Sequence, residues 1–263
     1  MTDKDGFRRI DSGVRLGHVL AVVFFAALLT PILPEIALDT SLADAVVRVT
    51  DTGTWPQLGL IALVVVLVLS VRPEPEARRR VREAVVLALT LPIALAGNGL
   101  LNEHIVKPAF GIPRPNIVTL AEDGVLGPDI PDAETFYAVG DKQDRRDLLG
   151  DRLTPTTTPY LSETVRAHWI HETGYSFPSG HTTASVTFAV LITALGLRWL
   201  HGWRRIAAVY VIPAWAIAVV YSRPLLEVHR AVDVIAGTLA GFLWGVLAFA
   251  IVRRVVEAQR TAS

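Results

Sequence analysis

Hydrophobic residues in this chain are gathered into six long runs that polar segments separate. A helix that crosses the hydrocarbon core of a bilayer needs about 20 predominantly apolar residues, and each run approaches that length. The pattern predicts an all-α fold, a bundle of six transmembrane helices. The predicted spans cover about residues 17–33, 55–71, 84–101, 178–200, 206–221 and 231–252.

The connection between the third and fourth runs, about residues 102–177, is the longest polar segment of the chain. It is too polar to lie in lipid, and Pro and Thr interrupt it at 153–160. Residues 136–149 and 161–172 have the apolar spacing of short helices. We therefore expect a mostly helical cap on the bundle, within one membrane-embedded domain that covers residues 1–263.

Lys and Arg are distributed unevenly among the polar segments. Fifteen lie in the N-terminal tail, the second and fourth connections and the C-terminal tail, whereas three lie in the first and fifth connections. Because cytoplasmic segments are enriched in Lys and Arg, both termini are predicted to be cytoplasmic and the cap extracytoplasmic. A cleaved signal peptide that ends near residues 43–45 is the alternative interpretation of the first run, and it leaves this orientation unchanged.

The composition narrows the class of protein further. Hydrophobic residues make up 51% of the chain and charged residues 19%, with a mean hydropathy of +0.43. Soluble domains carry about 25% charged residues, so this bunched apolar composition excludes a soluble enzyme. The net charge of zero gives no basic surface for nucleic acid. The absence of cysteine excludes disulfides, thiol nucleophiles and Cys-ligated metals.

Residues suited to phosphate chemistry lie in three clusters at the predicted outward ends of the third to sixth spans. The clusters comprise Lys107 and Arg114 after the third span, Ser179, Gly180 and His181 at the start of the fourth, and Arg223, His229 and Asp233 between the fifth and sixth. All three clusters fall on the same side of the membrane in the six-span arrangement. Since the spans rest on hydropathy alone, this agreement supports a common site.

Five of these residues have the chemistry of a phosphate-binding site. Lys107, Arg114 and Arg223 supply positive charges, and the planar guanidinium groups match phosphate oxygens in two-point contacts. Ser179 and Gly180 stand where a helix is predicted to begin, so free backbone N–H groups and the helix dipole favour an anion there. The sequence therefore predicts that these groups hold a phosphate.

The two histidines and the aspartate complete a phosphoryl-transfer site. His229 and Asp233 are four residues apart and share a helix face if the sixth helix begins near them. A carboxylate that accepts the proton of one ring nitrogen leaves the other nitrogen free to attack phosphorus. His181 is positioned to supply the proton that the leaving group needs. We therefore predict His229, His181 and Asp233 as catalytic residues, with no metal site and no cofactor.

The chain resembles the type 2 phosphatidic acid phosphatase superfamily in three motifs and in their order. The motifs are K-x6-RP from Lys107, PSGH from Pro178 and SR-x5-H-x3-D from Ser222. The resemblance implies that His229 forms a phosphohistidine, that Asp233 orients it and that His181 protonates the leaving group. The residues that it implies as contacts of the phosphate oxygens are Lys107, Arg114, Ser179, Gly180, His181 and Arg223.

Residues 136–149 and 167–182 resemble the corresponding region of bacterial phosphatidylglycerophosphatases of the B type. The resemblance implies a multi-pass enzyme of the bacterial cytoplasmic (inner) membrane, with its site on the extracytoplasmic, periplasmic face. The implied substrates are phosphatidylglycerophosphate, phosphatidate, lysophosphatidate and undecaprenyl pyrophosphate. The implied partners are a membrane lipid phosphate and the bilayer, with no nucleic acid and no obligate protein partner.

Three other interpretations remain open on the sequence. A lipid phosphotransferase and a dedicated undecaprenyl-pyrophosphate phosphatase would use the same residues. A transporter or a non-catalytic lipid-binding protein would carry ionisable residues deep within its spans. The span interiors here are almost free of charge, and this favours the phosphatase.

Further polar residues near the clusters have an ordinary interpretation. His168, His171 and Glu172 form a weak metal-binding pattern, and we expect them to pack in the cap or to support the site instead. Glu172 is also a candidate for the rim of the site, because it shortly precedes the PSGH motif. Asn98 and Asn102 are candidates to face the bundle, since polar side chains avoid lipid.

Overall fold

The structure, a computed structural model, describes residues 3–54, 56–70 and 77–261. Within these ranges every regular element is helical, in agreement with the predicted all-α class. In the same ranges, five helices are long and apolar enough to cross a membrane. They cover Arg15–Ile32, Ala84–Phe110, Gly180–Trp199, Gly202–Leu225 and Ala231–Val256.

Short helical turns join several of the α-helices into longer ones. The α-helices, in chain order, are α1 (Asp3–Leu28), α2 (Ser41–Asp51), α3 (Gln57–Ser70), α4 (Ala77–Leu101), α5 (Lys107–Phe110), α6 (Pro115–Glu122), α7 (Ala133–Ala138), α8 (Lys142–Arg152), α9 (Glu163–His171), α10 (Gly180–Trp199), α11 (Gly202–Ile206), α12 (Ile212–Leu225) and α13 (Ala231–Thr261). The π-helical segment Asn102–Val106 joins α4 to α5, and Ala207–Val211 joins α11 to α12. A 3-10 turn at Thr30–Ile32 follows α1.

The predicted second span, residues 55–71, corresponds to α3, of which the structure describes Gln57–Ser70. Helix α3 has 14 residues. At about 1.5 Å per residue, these described residues alone span less than the ~30 Å hydrocarbon core of a bilayer. Trp55 and Val71, at the ends of the predicted span, lie outside the described residues. Among the described helices, five rather than six are therefore long enough to cross a membrane.

The third and fifth predicted spans extend further at the ends that carry site residues. The third continues through the π-helical segment and α5 to Phe110, so Lys107 lies near the end of the helix rather than beyond it. Pro92 lies inside α4 without ending it. The fifth covers Gly202–Leu225 and includes Arg223. Each of these longer helices has a predicted site residue near its end, Lys107 in the third span and Arg223 in the fifth. The helical backbone fixes the direction in which each side chain leaves the helix.

Helix α10 is the centre of the bundle. Its apolar segment is 83% buried, whereas those of the other four candidate spans are between 22% and 39% buried. Helix α13 packs along it, and Gly241 permits the close approach. A Cβ atom at Gly241 would lie 2.7 Å from Val186 Cβ and 3.0 Å from the Thr183 carbonyl oxygen. Cβ atoms at Gly237 and Gly245 would come within 2.8 Å and 2.6 Å of Ser179 and Val190 atoms. Small residues on α13 therefore form its contact with α10.

Helices α6 to α9 lie in the connection between α5 and α10 and share an apolar core with α2. This core includes Leu38, Val47, Ile117, Phe136, Leu149, Val165, Trp169 and Leu226. The sequence predicted one helix at 136–149, but the structure has two, α7 and α8. The chain breaks there because Gly140 has a positive φ of 26° and Asp141 begins α8 with a capping box. The helix predicted at 161–172 is present as α9.

Candidate active site

Helix ends from distant parts of the chain meet at one end of the bundle. The backbone N–H of Ser179 donates to the carbonyl oxygen of Asp233 at 3.0 Å, which joins the start of α10 to the start of α13. The backbone N–H of Asn116, in the first turn of α6, donates to the carbonyl oxygen of Glu227 at 3.0 Å. These bonds bring the three sequence clusters to one place.

His229 precedes α13 and is 2% exposed. Its Nδ1 atom is 3.5 Å from Asp233 Oδ2 and 3.3 Å from Ser176 Oγ. The same Oδ2 atom accepts hydrogen bonds from the Ser176 hydroxyl and from the Arg230 backbone N–H, the latter at 2.8 Å. Asp233 thus lies against one ring nitrogen of His229, as the spacing of four residues predicted.

Arg114 faces the other ring nitrogen of His229. Its Nη1 atom is 3.1 Å from His229 Nε2 and donates to the Val228 carbonyl oxygen at 3.1 Å. Because a guanidinium group only donates, Nε2 accepts this bond and the ring proton stays on Nδ1, beside Asp233. Burial, and then the charges of Arg114 and Arg223, lower the pKa of His229 well below its usual value. His229 is therefore neutral and carries a lone pair on Nε2, the form that a nucleophile needs.

Glu172, directly after α9, is held between two arginines. Its Oε2 atom is 2.7 Å from Arg114 Nη2, and its Oε1 atom is 2.6 Å from Arg223 Nη2. Burial alone would raise the pKa of Glu172, but Arg114 and Arg223 outweigh it and hold the pKa well below its usual range. His181 Nε2 lies 3.7 Å from Oε1. Glu172 is thus a carboxylate at the centre of the site rather than at its rim.

Arg223 is fully buried against residues of α2 and α9. Its Nη1 atom donates to Thr50 Oγ1 at 2.6 Å and lies 3.3 Å from His168 Nε2. Burial, and then the charge of Arg223, lower the pKa of His168 to about 3, so His168 is neutral and accepts from Arg223. Asp51 Oδ1 lies 3.8 Å from His168 Nδ1. Among the described residues Arg223 Nε has no hydrogen-bond partner, which leaves one N–H for a ligand.

The PSGH motif forms the first turn of α10. Ser179 is the N-cap residue, and its hydroxyl accepts the backbone N–H three residues later at 3.4 Å. Gly180 lies against the π-helical segment, where a Cβ atom would meet Asn102 Nδ2 at 3.4 Å. Gly180 and His181 both line a large cavity. The start of α10, a favourable position for an anion, therefore lies at that cavity.

Lys107 is 4% exposed. It pairs with a carboxylate that also pairs with a lysine in the connection between α5 and α10. Its ammonium group pairs with one oxygen of Glu103, a turn earlier in the chain. The other oxygen of Glu103 pairs with Lys142 of α8. Glu103 therefore holds two cations, as Glu172 does, and Lys142 is a cation that the sequence analysis did not select.

The cavity has a volume of about 1070 Å³ and two chemically different ends. Its polar end is lined by Lys107, Arg114, Glu172, Gly180 and His181. Side chains of α3 and α4 line its apolar part, among them Leu58, Ala62, Leu63, Val66, Ala88, Leu91, Pro92 and Leu95. Such a cavity fits a molecule that is charged at one end and apolar along the rest.

The region that carries this site matches a known protein family. Residues 84–257, more than half of the chain, match the PAP2 superfamily. The chain belongs to the PAP2 superfamily. The match extends over every predicted site residue, from Lys107 to Asp233, and confirms the family that the three motifs indicated.

This PAP2 chain is also similar to individual bacterial proteins named phosphatidylglycerophosphatase B. It is 32% identical to the one from Escherichia coli (strain K12) over 163 residues, which are 62% of this chain and 58% of the relative. It is 33% identical to the one from Haemophilus influenzae over 156 residues, 56% of this chain and 58% of the relative. The similar part thus spans somewhat more than half the length of these relatives.

The residues that support the PAP2 motifs were not found from the sequence. Thr50 contacts Arg223, Ser176 contacts both His229 and Asp233, and Glu103 pairs with Lys107. Ser176 lies three residues before Ser179, so its nearness to the motif was a usable signal. Thr50 lies 173 residues before Arg223, and only the packing of α2 brings it to the site.

The other polar residues noted in the sequence, His168, His171, Asn98 and Asn102, lie around the site or inside the bundle. Among the described residues, no three His, Asp or Glu side chains are grouped as a metal site requires. His168 contacts Arg223 instead, and the carbonyl oxygen of His171 accepts from Arg146 Nε at 3.2 Å. Asn98 and Asn102 are both buried, and Asn102 Nδ2 donates to the Pro178 carbonyl oxygen at 3.5 Å. Both asparagines thus avoid lipid as expected.

Proposed function

We propose that this PAP2 protein is a lipid phosphatase that hydrolyses phosphatidylglycerophosphate and related lipid phosphates without a metal. The related substrates are phosphatidate, lysophosphatidate and undecaprenyl pyrophosphate. The observation that carries the proposal is the neutral His229, held between Asp233 and Arg114. Arg114 in turn lines the polar end of a mostly apolar cavity. The names of the bacterial relatives support the choice of headgroup.

In the first step, His229 Nε2 attacks the phosphorus atom of the substrate. A nitrogen–phosphorus bond forms as the bond from phosphorus to the lipid oxygen breaks. Asp233 accepts the hydrogen bond of Nδ1–H and stabilises the positive charge that develops on the ring. His181, protonated once the phosphate dianion is bound beside it, donates its proton to the departing oxygen, so the lipid leaves as an alcohol or, from a pyrophosphate, as a monophosphate.

In the second step, water attacks the phosphorus atom of the phosphohistidine. His181, neutral after the first step, accepts a proton from the attacking water. The nitrogen–phosphorus bond breaks, inorganic phosphate leaves and His229 returns to its neutral form. One lipid phosphate and one water molecule are consumed, and His181 ends the cycle protonated, as it began.

Lys107, Arg114, Arg223 and the start of α10 at residues 179–180 bind the phosphate oxygens in this mechanism. The loose transition state of phosphoryl transfer is stabilised mainly by positioning and by opposite charge. The unpartnered Nε–H of Arg223 supports such a contact. Glu172 lies between the two arginines, and the phosphate takes its place when the substrate binds.

We further propose one domain over residues 1–263 in the bacterial cytoplasmic membrane. It has six spans, the second built on α3, with both termini in the cytoplasm and helices α6 to α9 as an extracytoplasmic cap. A site on that side meets headgroups of the outer leaflet, while the apolar part of the cavity accepts their chains. Its partners are the bilayer and the lipid phosphate, with neither nucleic acid nor an obligate protein partner.

Phosphate release by the purified full chain in detergent tests the proposed reaction. The substrates are phosphatidylglycerophosphate, phosphatidate and undecaprenyl pyrophosphate, each with and without EDTA. We expect release that EDTA leaves unchanged and that His229→Ala lowers by roughly 10³-fold or more, because the nucleophile is lost. His201→Ala, at an exposed histidine, is the control and should keep the rate.

The possible results separate the competing functions. Release that EDTA abolishes would contradict metal independence, and full activity of His229→Ala would contradict the role of His229. An acid-labile phosphoprotein, trapped in the wild type and absent in the variant, would identify the intermediate. Phosphate transferred to a second lipid without release would indicate a phosphotransferase. Lipid binding without turnover by folded protein would indicate a binding or transport protein.

A further inference from the structure

Helix α8 presents two further cations to the cavity from the side of the connecting helices. Lys142 and Arg146 are four residues apart and lie on one face of α8. Both line the cavity together with Lys107 and Arg114. The hydrolysis proposed above uses neither Lys142 nor Arg146. A second pair of cations beside a phosphate site is suited to a ligand with more than one anionic group.

The first turn of α8 is fixed to the backbone that leads into the site. The Thr173 hydroxyl donates to the carbonyl oxygen of Lys142 at 3.1 Å. Arg146 Nε donates to the carbonyl oxygen of His171 at 3.2 Å. Residues 171 and 173 flank Glu172, which contacts the phosphate-binding arginines. The two cations of α8 therefore keep a defined position relative to the phosphate site.

Glu103 connects Lys142 to that site. One of its carboxylate oxygens pairs with Lys107 and the other with Lys142. The side chains of Lys142 and Glu103 are 45% and 30% exposed, so a ligand in the cavity reaches both. Because phosphate and carboxylate oxygens compete for the same ammonium group, a second anion on the ligand replaces Glu103 at Lys142. Lys107 remains with the first anion.

We propose that Lys142 and Arg146 bind a second anionic group of the lipid headgroup, next to the phosphate that is hydrolysed. These two residues make the enzyme prefer headgroups with two phosphates over headgroups with one. The two phosphates are joined either directly, as an anhydride, or through a short alcohol linker. This inference rests on the function proposed above, since it assigns the substrate class of the same site.

Hydrolysis of three lipids with the same acyl chains tests this assignment in the full-length protein. Phosphatidate has one phosphate, whereas diacylglycerol pyrophosphate and phosphatidylglycerophosphate have two, at different spacings. We expect Lys142→Ala to lower kcat/KM roughly fivefold to tenfold more for one or both two-phosphate lipids than for phosphatidate. The effect lies mainly in KM, because a charge-assisted contact in the bound state is lost. Lys142→Arg keeps the charge and should restore most of the preference.

Arg152→Ala is the matched control for this experiment. Arg152 lies on the same helix, pairs with Asp129 at 2.9 Å and does not line the described cavity. We expect it to leave the rates for all three lipids unchanged. An equal loss for all three lipids in Lys142→Ala overturns the inference, and so does no loss for any. No phosphate release by the wild type, or an unchanged rate in His229→Ala, overturns the proposed function and this inference with it.

Discussion

Glu172 contacts both Arg114 and Arg223 and holds the two guanidinium groups in place. Two buried guanidinium groups without an anion would be strongly destabilising, because the interior solvates them poorly. The carboxylate supplies that anion and leaves Arg223 Nε unpartnered among the described residues. A phosphate group has more oxygens than a carboxylate, so it satisfies the donors more completely. The charge of Glu172 thus keeps the arginines in the position that the proposed phosphate contacts need.

His168 makes the stability of the protein depend on pH. Burial and Arg223 lower its pKa to about 3 in the folded protein, from an ordinary value of 6.5. Between these two values the unfolded chain binds a proton that the folded protein does not. The free energy of unfolding therefore falls as the pH is lowered below about 6.5. We expect His168→Gln to lessen the drop in melting temperature between about pH 7.5 and pH 5, measured in detergent.

The control for this measurement is His201→Gln, which replaces an exposed histidine. The dependence of its melting temperature on pH should match that of the wild type. If His168→Gln also showed the full wild-type drop, protonation of His168 would not be the cause.

At the scale of single elements, apolar runs predict the helices of the bundle more accurately than those outside it. Helix α10 begins at Gly180 and α13 at Ala231, each within about two residues of the prediction. The break between α7 and α8 depends on Gly140 and on the capping box of Asp141, which the periodicity does not reveal. The hydropathy pattern did not predict helix α2. This helix is held by its packing against α9 and α12, which are distant in sequence. Hydropathy cannot reveal such contacts.

The contact of α10 with α13 yields a prediction about helix packing. Gly241→Val adds a branched side chain where a Cβ atom already meets Val186 Cβ at 2.7 Å. Overpacking at a buried contact destabilises by about 1–3 kcal/mol. We expect the melting temperature to fall by roughly 5 °C, since about 1 kcal/mol corresponds to 2–4 °C in a protein of this size.

Gly17→Ala is the matched control, because Gly17 also lies within a helix but has no neighbour within 4 Å of its Cβ position. Its melting temperature should be unchanged or slightly raised, since alanine favours a helix over glycine. Equal melting temperatures for Gly241→Val and the wild type would show that α13 can move away from α10 freely.

At the scale of the whole molecule, the motifs predict which residues come together at the site. Tertiary packing determines which other residues contact them and keep them in position. Arg114 and His229 are more than 100 residues apart, yet the motif order alone indicated that they share a site. Thr50 and Ser176 belong to no motif, and their contacts depend on how α2 and the segment before α10 fold. The residues that meet were thus predictable, and the residues that support them were not.

The orientation of the chain is testable with reporters. Alkaline phosphatase needs disulfides and is active only outside the cytoplasm. We expect it to be inactive when fused to the C-terminus and active when inserted between residues 127 and 128, because Lys and Arg favour cytoplasmic termini. Membrane-fraction immunoblots control for expression of each fusion. An active C-terminal fusion would reverse the orientation and place the site on the cytoplasmic side.

In the proposed reaction, the carboxylate between Arg114 and Arg223 also governs the release of the soluble product, inorganic phosphate. Inorganic phosphate must compete with Glu172 from free solution, whereas Glu172 is tethered beside the arginines at a high effective concentration. A lipid phosphate has a tether of its own, since its chains confine the headgroup to the membrane surface. Once hydrolysis removes that tether, Glu172 returns to the arginines and the phosphate leaves. We therefore expect the proposed phosphatase to resist inhibition by inorganic phosphate and to remain active in surroundings rich in phosphate.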